Sequence, residues 1–170
     1  MATFQSNIAA AQVAGANFPG GSGGLTTQPG GFNDPVLELG SSSVITALYT
    51  MTGNEAVNDI IQIALMGQGA VVSPDSTVVG NGIATTATIT VGDTDTVGGT
   101  VSADASRYSG SVSVSANTTT VATSFTGGTV LNAPASITDD PVWIQAKIIT
   151  LNTPVAGKTL CFRLRLTDNR

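Results

Sequence analysis

Residues 159–166 read Thr-Leu-Cys-Phe-Arg-Leu-Arg-Leu and carry the clearest two-sided pattern in the chain. Apolar side chains stand at alternate positions, namely Leu160, Phe162, Leu164 and Leu166. The positions between them hold Cys161, Arg163 and Arg165. Because successive side chains of a β-strand point to opposite faces, this pattern predicts a strand that is buried on one side. Burial of the apolar set would stabilise the fold by roughly 1.5 to 3 kcal/mol per side chain, and we expect Cys161 to be a packing residue.

The same alternation recurs upstream. In residues 83–91 the apolar positions are Ile83, Ala87, Ile89 and Val91, and threonines at 86, 88 and 90 face the other way. Further strands are predicted at 44–51, 59–66, 70–73, 109–116, 118–125, 142–151 and 159–167. β-Branched residues dominate these segments, as is typical of a pleated surface.

Glycine-containing turns separate the segments and indicate the fold class. Roughly eight short strands with such turns predict an all-β fold, a β-sandwich that we expect to be jelly-roll-like. Residues 152–157, Asn-Thr-Pro-Val-Ala-Gly, separate two strong strands and predict a hairpin loop. Residues 92–106 form an unusually long connection, which is typical of functional or mobile loops.

The N-terminal 35 residues differ in kind from the rest. Seven glycines lie between Gly15 and Gly31, and Phe4, Phe18, Leu25 and Phe32 are spaced along the segment. Ordered glycine loses more backbone entropy than any other residue, so independent folding is costly. A solvated linker is one interpretation; the other is an extended arm that orders on a neighbouring subunit, with the four apolar residues as anchors. We therefore divide the chain into an arm, 1–35, containing a short helix from about residue 7 to 16, and a β-sandwich domain, 36–170.

Composition excludes many kinds of site. The chain of 170 residues has no histidine and one cysteine, so histidine-dependent nucleophile pairs and cysteine-based zinc sites have no residues to form them. Charged residues make up 10%, against about 25% in ordinary domains. We therefore expect a protein without a cofactor that is not an enzyme, and whose surface is largely covered by partners. Apolar runs are far shorter than the roughly 20 residues of a membrane helix, and no secretory signal is recognisable.

The net charge of −5 hides a segregation along the chain. Residues 1–106 contain eight acidic and no basic residues, whereas 107–170 contain six basic and three acidic ones, so the two parts carry −8 and +3. This is either accidental clustering or a sign that opposite charges meet between neighbouring copies. Arg163 and Arg165 are the candidates for such contacts. Nucleic acid is not an expected partner, since phosphate binding favours a basic stripe.

The long connection holds the remaining candidates. Asp93, Asp95 and Asp104 could bind Ca²⁺, but the spacing departs from the EF-hand pattern, and solvated acids are the simpler interpretation. Arg107 follows the loop, and we expect it to form an ion pair with Asp93 or Asp95. Trp143 could serve a carbohydrate-binding face or an interface.

Three segments carry a resemblance to a known class. They are residues 43–61, residues 88–93 leading to Arg107 and Tyr108, and residues 155–160. Over about 43–167 the chain resembles small structural proteins encoded among the head genes of tailed bacteriophages, and in character it is most similar to capsid decoration, or cement, proteins. The resemblance implies a β-rich subunit, often trimeric, that binds the outside of the head and reinforces it; it transfers no catalytic residue.

Our leading hypothesis is therefore a decoration protein on the virion surface, synthesised in the host cytoplasm. Its expected partners are further copies of itself, as a trimer, and the major capsid protein; no membrane is expected. One alternative is a neck, tail or head-fibre structural protein. Another is a carbohydrate-binding β-sandwich module.

Overall fold

The computed structural model describes residues 1–13, 43–66, 70–93, 104–115, 123–125 and 142–168. Ten strands and one short helix lie in these ranges. They are β1 (Thr3–Gln5), α1 (Asn7–Val13), β2 (Ser43–Thr50), β3 (Ile60–Met66), β4 (Ala70–Val72), β5 (Thr77–Asn81), β6 (Thr86–Asp93), β7 (Asp104–Ser113), β8 (Thr123–Ser124), β9 (Val142–Asn152) and β10 (Thr159–Asp168). Within the described ranges no helix is both long enough and apolar enough to cross a membrane.

The strands form two sheets that pack face to face, which confirms the predicted all-β sandwich. Sheet A has the order β1-β3-β9-β6-β7, and sheet B has the order β2-β10-β5-β8, with β4 also paired to β10. The two sheets bury their inner faces against each other, as alternating strands require.

Strand pairing is nested around the β6–β7 pair. Proceeding outward from it along the chain, β5 pairs with β8, β3 with β9, and β2 with β10, all antiparallel. The two halves of the described chain thus run antiparallel to each other as a series of strand pairs, and these pairs supply strands to both sheets. Each pair joins an early strand to a late one, so most of the pairing is between residues far apart in sequence.

The core lies between the sheets and contains the apolar face of β10. Leu160, Phe162, Leu164 and Leu166 are all at most 1% exposed, as their alternation predicts. Sheet A contributes the facing side chains, chiefly Ile61, Ile63, Ile89, Val91, Ile144, Ala146 and Ile148. The strands at 44–51, 59–66, 70–73 and 142–151 are also confirmed, with small shifts at their ends.

Residues 1–13 of the expected arm are part of this sandwich. β1 pairs in parallel with β3, placing Phe4 opposite Ile61. The Phe4 ring lies 5.9 Å from that of Tyr49, and Ser6 donates a hydrogen bond of 2.6 Å to the Ile63 carbonyl. The helix predicted from residue 7 is present as α1. Residues 14–35, with Phe18, Leu25 and Phe32, lie outside the described ranges.

β5 and β6 are among the strands that differ from the sequence prediction. β5 was not predicted, because its segment Thr-Val-Val-Gly-Asn is short and ends in residues typical of a turn. Pairing with β10 makes it a strand and buries Val78 completely. β6 begins at Thr86 instead of residue 83, although Ile83 and Ala84 are buried.

The predicted hairpin at residues 152–157 is wrong. The segment joins β9 in sheet A to β10 in sheet B, so the flanking strands do not pair with each other. Backbone hydrogen bonds hold the crossing: Val155 donates to the Ile83 carbonyl at 2.8 Å and Gly157 donates to the Met51 carbonyl at 2.8 Å. Turn residues between two strands mark a reversal of direction, but they do not say which sheet the chain enters next.

Glu55 organises the segment between β2 and β3. Its carboxylate accepts hydrogen bonds from the Tyr49 hydroxyl at 2.5 Å, from the Thr52 amide at 2.6 Å and from the Gly53 amide at 3.0 Å. Burial alone would raise the pKa of Glu55, but the bonds from Tyr49 and Thr52 outweigh it and hold that pKa below its usual range. Gly53 adopts φ of +88° here, a conformation that favours glycine. Glu55 is therefore a structural residue of the turn between β2 and β3.

We expect Phe162→Ala to lower the free energy of unfolding by roughly 3 to 5 kcal/mol, because it leaves a cavity at a site that is 0% exposed. Val44→Ala on β2, where the side chain is 49% exposed, should change it by no more than about 0.5 kcal/mol. Urea denaturation of both variants measures the difference. Equal losses would contradict the assignment of Phe162 to the shared core.

Candidate interaction surface

The outward face of sheet B is the first candidate for contact with partners. We define the sheet-B face by the outward side chains of three adjacent strands. These are Val44, Thr46 and Leu48 of β2, Cys161, Arg163 and Arg165 of β10, and Thr77 and Val79 of β5. Val44 and Leu48 are 49% and 44% exposed. Exposed aliphatic side chains beside two arginines form the kind of mixed surface found at protein interfaces.

Arg165 already has an acidic partner in its own chain. Its guanidinium lies 3.2 Å from the carboxylate of Asp75, and both side chains are largely exposed. An exposed pair of this kind contributes only about 0 to 1 kcal/mol because water screens it. Asp75 belongs to the acidic first part of the chain and Arg165 to the basic second part. At this contact the segregated charges therefore pair within one molecule and not between neighbouring copies.

Arg163 differs from Arg165. It is exposed and lies opposite Thr46 on one side and Thr77 on the other. Among the described residues it has neither an ion pair nor a side-chain hydrogen bond. The positive charge of Arg163 is therefore the one on this face that the described part of the chain leaves without a compensating acid.

Cys161 lies between Leu48 and Val79 in the register of sheet B. It is a free thiol and is half-buried. Its two apolar neighbours make it part of the apolar centre of the sheet-B face, in keeping with the packing role expected for it. Sequence reasoning had pointed to the arginines of this face but not to Val44 and Leu48, whose exposure depends on β2 lying at the sheet edge.

A buried polar cluster lies at the far end of sheet A. The Arg107 Nε lies 2.9 Å from Asp93 Oδ1 and 2.7 Å from Asp93 Oδ2, and the Tyr108 hydroxyl donates to Oδ2 at 2.7 Å. Asp93 is 1% exposed, and the Arg107 side chain is 12% exposed. The predicted ion pair between Arg107 and Asp93 is confirmed, and Tyr108 is a third member that the sequence did not indicate.

The electrostatics of the cluster favour its charged, hydrogen-bonded form. Burial lowers the pKa of Arg107, but the hydrogen bond and charge of Asp93 more than compensate, so its pKa stands above the ordinary value. Burial, followed by the charge of Asp93, raises the pKa of Tyr108. The arginine therefore remains a cation and the tyrosine remains a neutral donor at any physiological pH, which suits a structural lock.

Gly92 allows β7 to approach β6 closely at this point. A Cβ at residue 92 would lie 1.7 Å from the Asp104 carbonyl oxygen and 2.5 Å from the Ala105 carbonyl carbon. The pairing of β6 with β7 shifts register on both sides of Val91, so β7 carries extra residues opposite the end of β6. This bulge brings Arg107 and Tyr108 to Asp93, and only glycine leaves room for it.

The geometry argues against calcium binding by Asp93. Both of its carboxylate oxygens are occupied by Arg107 and Tyr108, and a cation would have to displace a guanidinium. Asp104 Oδ1 accepts hydrogen bonds from the amide and hydroxyl of Ser106. Asp95 lies outside the described ranges, and no group of three or more potential metal ligands occurs within them.

The outward face of sheet A is polar. Gln62 and Gln145 are register partners on it, and Gln5 donates to Gln62 Oε1 at 3.2 Å. Trp143 lies farther along β9 and is half-buried, so less of its indole is available for stacking on a sugar than the carbohydrate-binding interpretation requires.

We expect Arg107→Ala to lower the free energy of unfolding by about 3 kcal/mol, because it leaves the Asp93 carboxylate buried without its counter-ion. Arg165→Ala is the matched control, since it breaks an exposed pair, and it should change stability by less than about 1 kcal/mol. Urea denaturation of the two variants checks the difference. If both substitutions cost the same, Arg107 does not lock the end of sheet A.

Comparison with known proteins gives a match at the level of fold. No protein-family model matches the sequence, and no curated protein matches it significantly. A solved structure described as "Capsid of Ralstonia phage GP4" contains a chain that superposes with a TM-score of 0.69 over 99% of both chains. The two sequences are 17% identical. At that identity the likeness shows a shared fold.

Proposed function

We propose that this protein is a structural component of a tailed-bacteriophage virion and acts as a capsid decoration protein. The observation that carries the proposal is the shared fold over 99% of both chains with a protein of the Ralstonia phage GP4 capsid structure. It agrees with the resemblance of residues 43–167 to head-gene products. Two independent comparisons, one of sequence character and one of fold, therefore lead to the same class.

The strand order supports a jelly roll as the form of the sandwich. Eight strands pair in four nested antiparallel pairs, and β2-β10-β5-β8 and β3-β9-β6-β7 form the two sheets. A ribbon of paired strands wrapped into two four-stranded sheets is the organisation of the double Greek-key jelly roll, which is common among viral capsid proteins. β1 is an addition at the edge of sheet A, and β4 is a short strand that pairs with the last residues of β10.

The surface supports assembly rather than catalysis. Ionised groups of the described chain are largely committed to structural contacts, as Asp93 with Arg107 and Glu55 with its loop illustrate. The sheet-B face offers aliphatic area and one uncompensated arginine. A decoration protein acts through many copies, each burying on the order of 800 Å² per partner. We propose that these partners are further copies, as a trimer, and the major capsid protein on the outer head surface, after synthesis in the host cytoplasm.

The arm is part of this proposal. Phe4 is packed within its own chain, so the anchors proposed for contact with a neighbour are Phe18, Leu25 and Phe32. Segments that order on a partner bury apolar anchors there to offset the entropy that their glycines lose. Residues 1–13 remain with the sandwich domain through β1 and α1.

We expect purified virions to contain this protein in hundreds of copies. Heads stripped of it should release DNA at a lower temperature than intact heads, because its binding energy no longer opposes shell rupture. Quantitative mass spectrometry of virions measures the first, and a DNA-release melting assay measures the second. Re-adding the protein to stripped heads should restore the release temperature.

A different copy number would favour a different role in the virion. A small multiple of three, five or six per particle would favour a neck, tail or head-fibre component and would refute decoration. Absence from purified virions would refute the structural role altogether. Phe162→Ala protein, which is expected to be destabilised, is the control in the re-addition assay. It should restore the release temperature less well than the unaltered protein if binding requires the folded state.

We expect deletion of residues 14–35 to leave the sandwich folded, because the described core contains none of them. The deletion should weaken binding to stripped heads or self-association, since it removes Phe18, Leu25 and Phe32. Circular dichroism checks the fold, and sedimentation with stripped heads checks binding. An unchanged affinity would refute the arm and leave the decoration role standing.

A further inference from the structure

Part of the outer edge of β2 has no strand paired to it among the described residues. β2 lies at the end of sheet B and pairs with β10 on one side only. The Leu48 amide, on the other side, donates to Asn7 Oδ1 at 2.7 Å. Because alternate residues of a strand direct their amides to the same side, Val44 and Thr46 also present theirs at this outer edge.

Described residues cover this edge near Leu48 but not at the start of β2. α1 packs against β2, and Asn7 at its first position caps the Leu48 amide. Within the described ranges, no hydrogen bond is made at the outer edge by the Val44 or Thr46 amide. The part of β2 that described residues leave without such a bond lies before Leu48, and this short stretch fits a single extended segment better than the edge of another sheet.

The composition of β2 does not prevent a further strand from pairing with its outer edge. Its sequence, Ser-Val-Ile-Thr-Ala-Leu-Tyr-Thr, contains no charged residue and no proline. Exposed strand edges are usually protected from strand addition by charges, prolines or bulges. An edge that lacks all three in an otherwise well-packed sandwich is suited to accept a strand.

The side chains beside the edge indicate the chemistry of the incoming segment. On the inward face of β2, Ile45 is only partly buried against the core. On the outward face, Arg163, next to Thr46, has no acidic partner among the described residues. Strands lie about 4.8 Å apart, so an added strand would be about 10 Å from β10. The long side chains of an arginine and a glutamate together span that distance over the small Thr46.

We propose that the open edge of β2 binds an extended protein segment with alternating acidic and aliphatic side chains, which joins sheet B as a further strand. Its main chain hydrogen-bonds with residues 44–46. Its acidic side chains lie on the outward face, where one pairs with Arg163, and its aliphatic side chains lie on the inward face beside Ile45. Main-chain bonds supply affinity in such strand addition, and the flanking side chains supply selectivity. The inference rests on the proposed function, because it names the surface through which the protein would hold a virion partner.

The test is a titration of the isolated full chain followed by NMR. The probe is an eight-residue peptide of alternating valine and glutamate, and its counterpart has lysine in place of glutamate. The glutamate peptide should shift the amide signals of Val44 and Thr46 and should bind roughly fivefold more tightly than the lysine peptide, the ratio that one exposed ion pair provides. Arg163→Glu should reverse that order of affinity.

Controls separate strand addition from general charge attraction. Lys147→Glu reverses a charge on the outward face of sheet A and should leave the order of the two peptides unchanged. A glutamate peptide that is N-methylated at every residue should not bind, because it has no amide left to donate to the strand. Thr46→Pro should abolish binding and keep the fold, since the lost amide points away from β10.

Three results would overturn the inference: equal affinity for the two peptides, signal shifts outside β2 and its neighbours, or an order unaffected by Arg163→Glu. None of these readouts involves a virion. If the peptides fail to bind as expected but virions contain hundreds of copies of the protein, only the proposed binding at the β2 edge is refuted. If the peptides bind as expected but virions contain no copies, binding at the β2 edge stands and the decoration role is refuted.

Discussion

Burial of one face of β10 is the constraint on which the rest of this structure depends. Leu160, Phe162, Leu164 and Leu166 reach full burial only if sheet A covers them. β10 is also the strand with most partners, since it pairs with β2, β5 and β4. A change in its register by one residue would move the arginines into the core and the leucines into water.

The same alternation creates the surface opposite the core. With Leu160, Phe162 and Leu164 directed inward, Cys161, Arg163 and Arg165 must face outward. β2 lies beside them at the sheet margin, so the exposed valine and leucine of that strand join the arginines in one face. The core and the interaction surface thus both follow from the same alternating pattern. A change in the register of β10 would alter both of them.

Polar groups stabilise the parts of the fold that the core does not reach. Asp93, Arg107 and Tyr108 lock the bulged end of the β6–β7 pair, and Glu55 holds the turn after β2. Each buried carboxylate is matched by donors, as is required for an ionised group removed from water. These acids and bases are therefore structural, and they leave few free charges among the described residues, which suits the repeated contacts of the proposed assembly.

Local sequence patterns predicted the fold class, most strand positions and the inward face of β10, because alternation and short loop spacing are local properties. They also predicted that Arg107 pairs with Asp93 or Asp95. The tertiary structure decided the rest. Val78 became a core residue only through pairing with β10, the segment after β9 crossed between sheets instead of forming a hairpin, and Phe4 paired with β3 of its own chain. Arg165 met Asp75 across 90 positions. Such pairings join residues remote in sequence and depend on which surfaces must be buried together, a requirement that no local pattern contains.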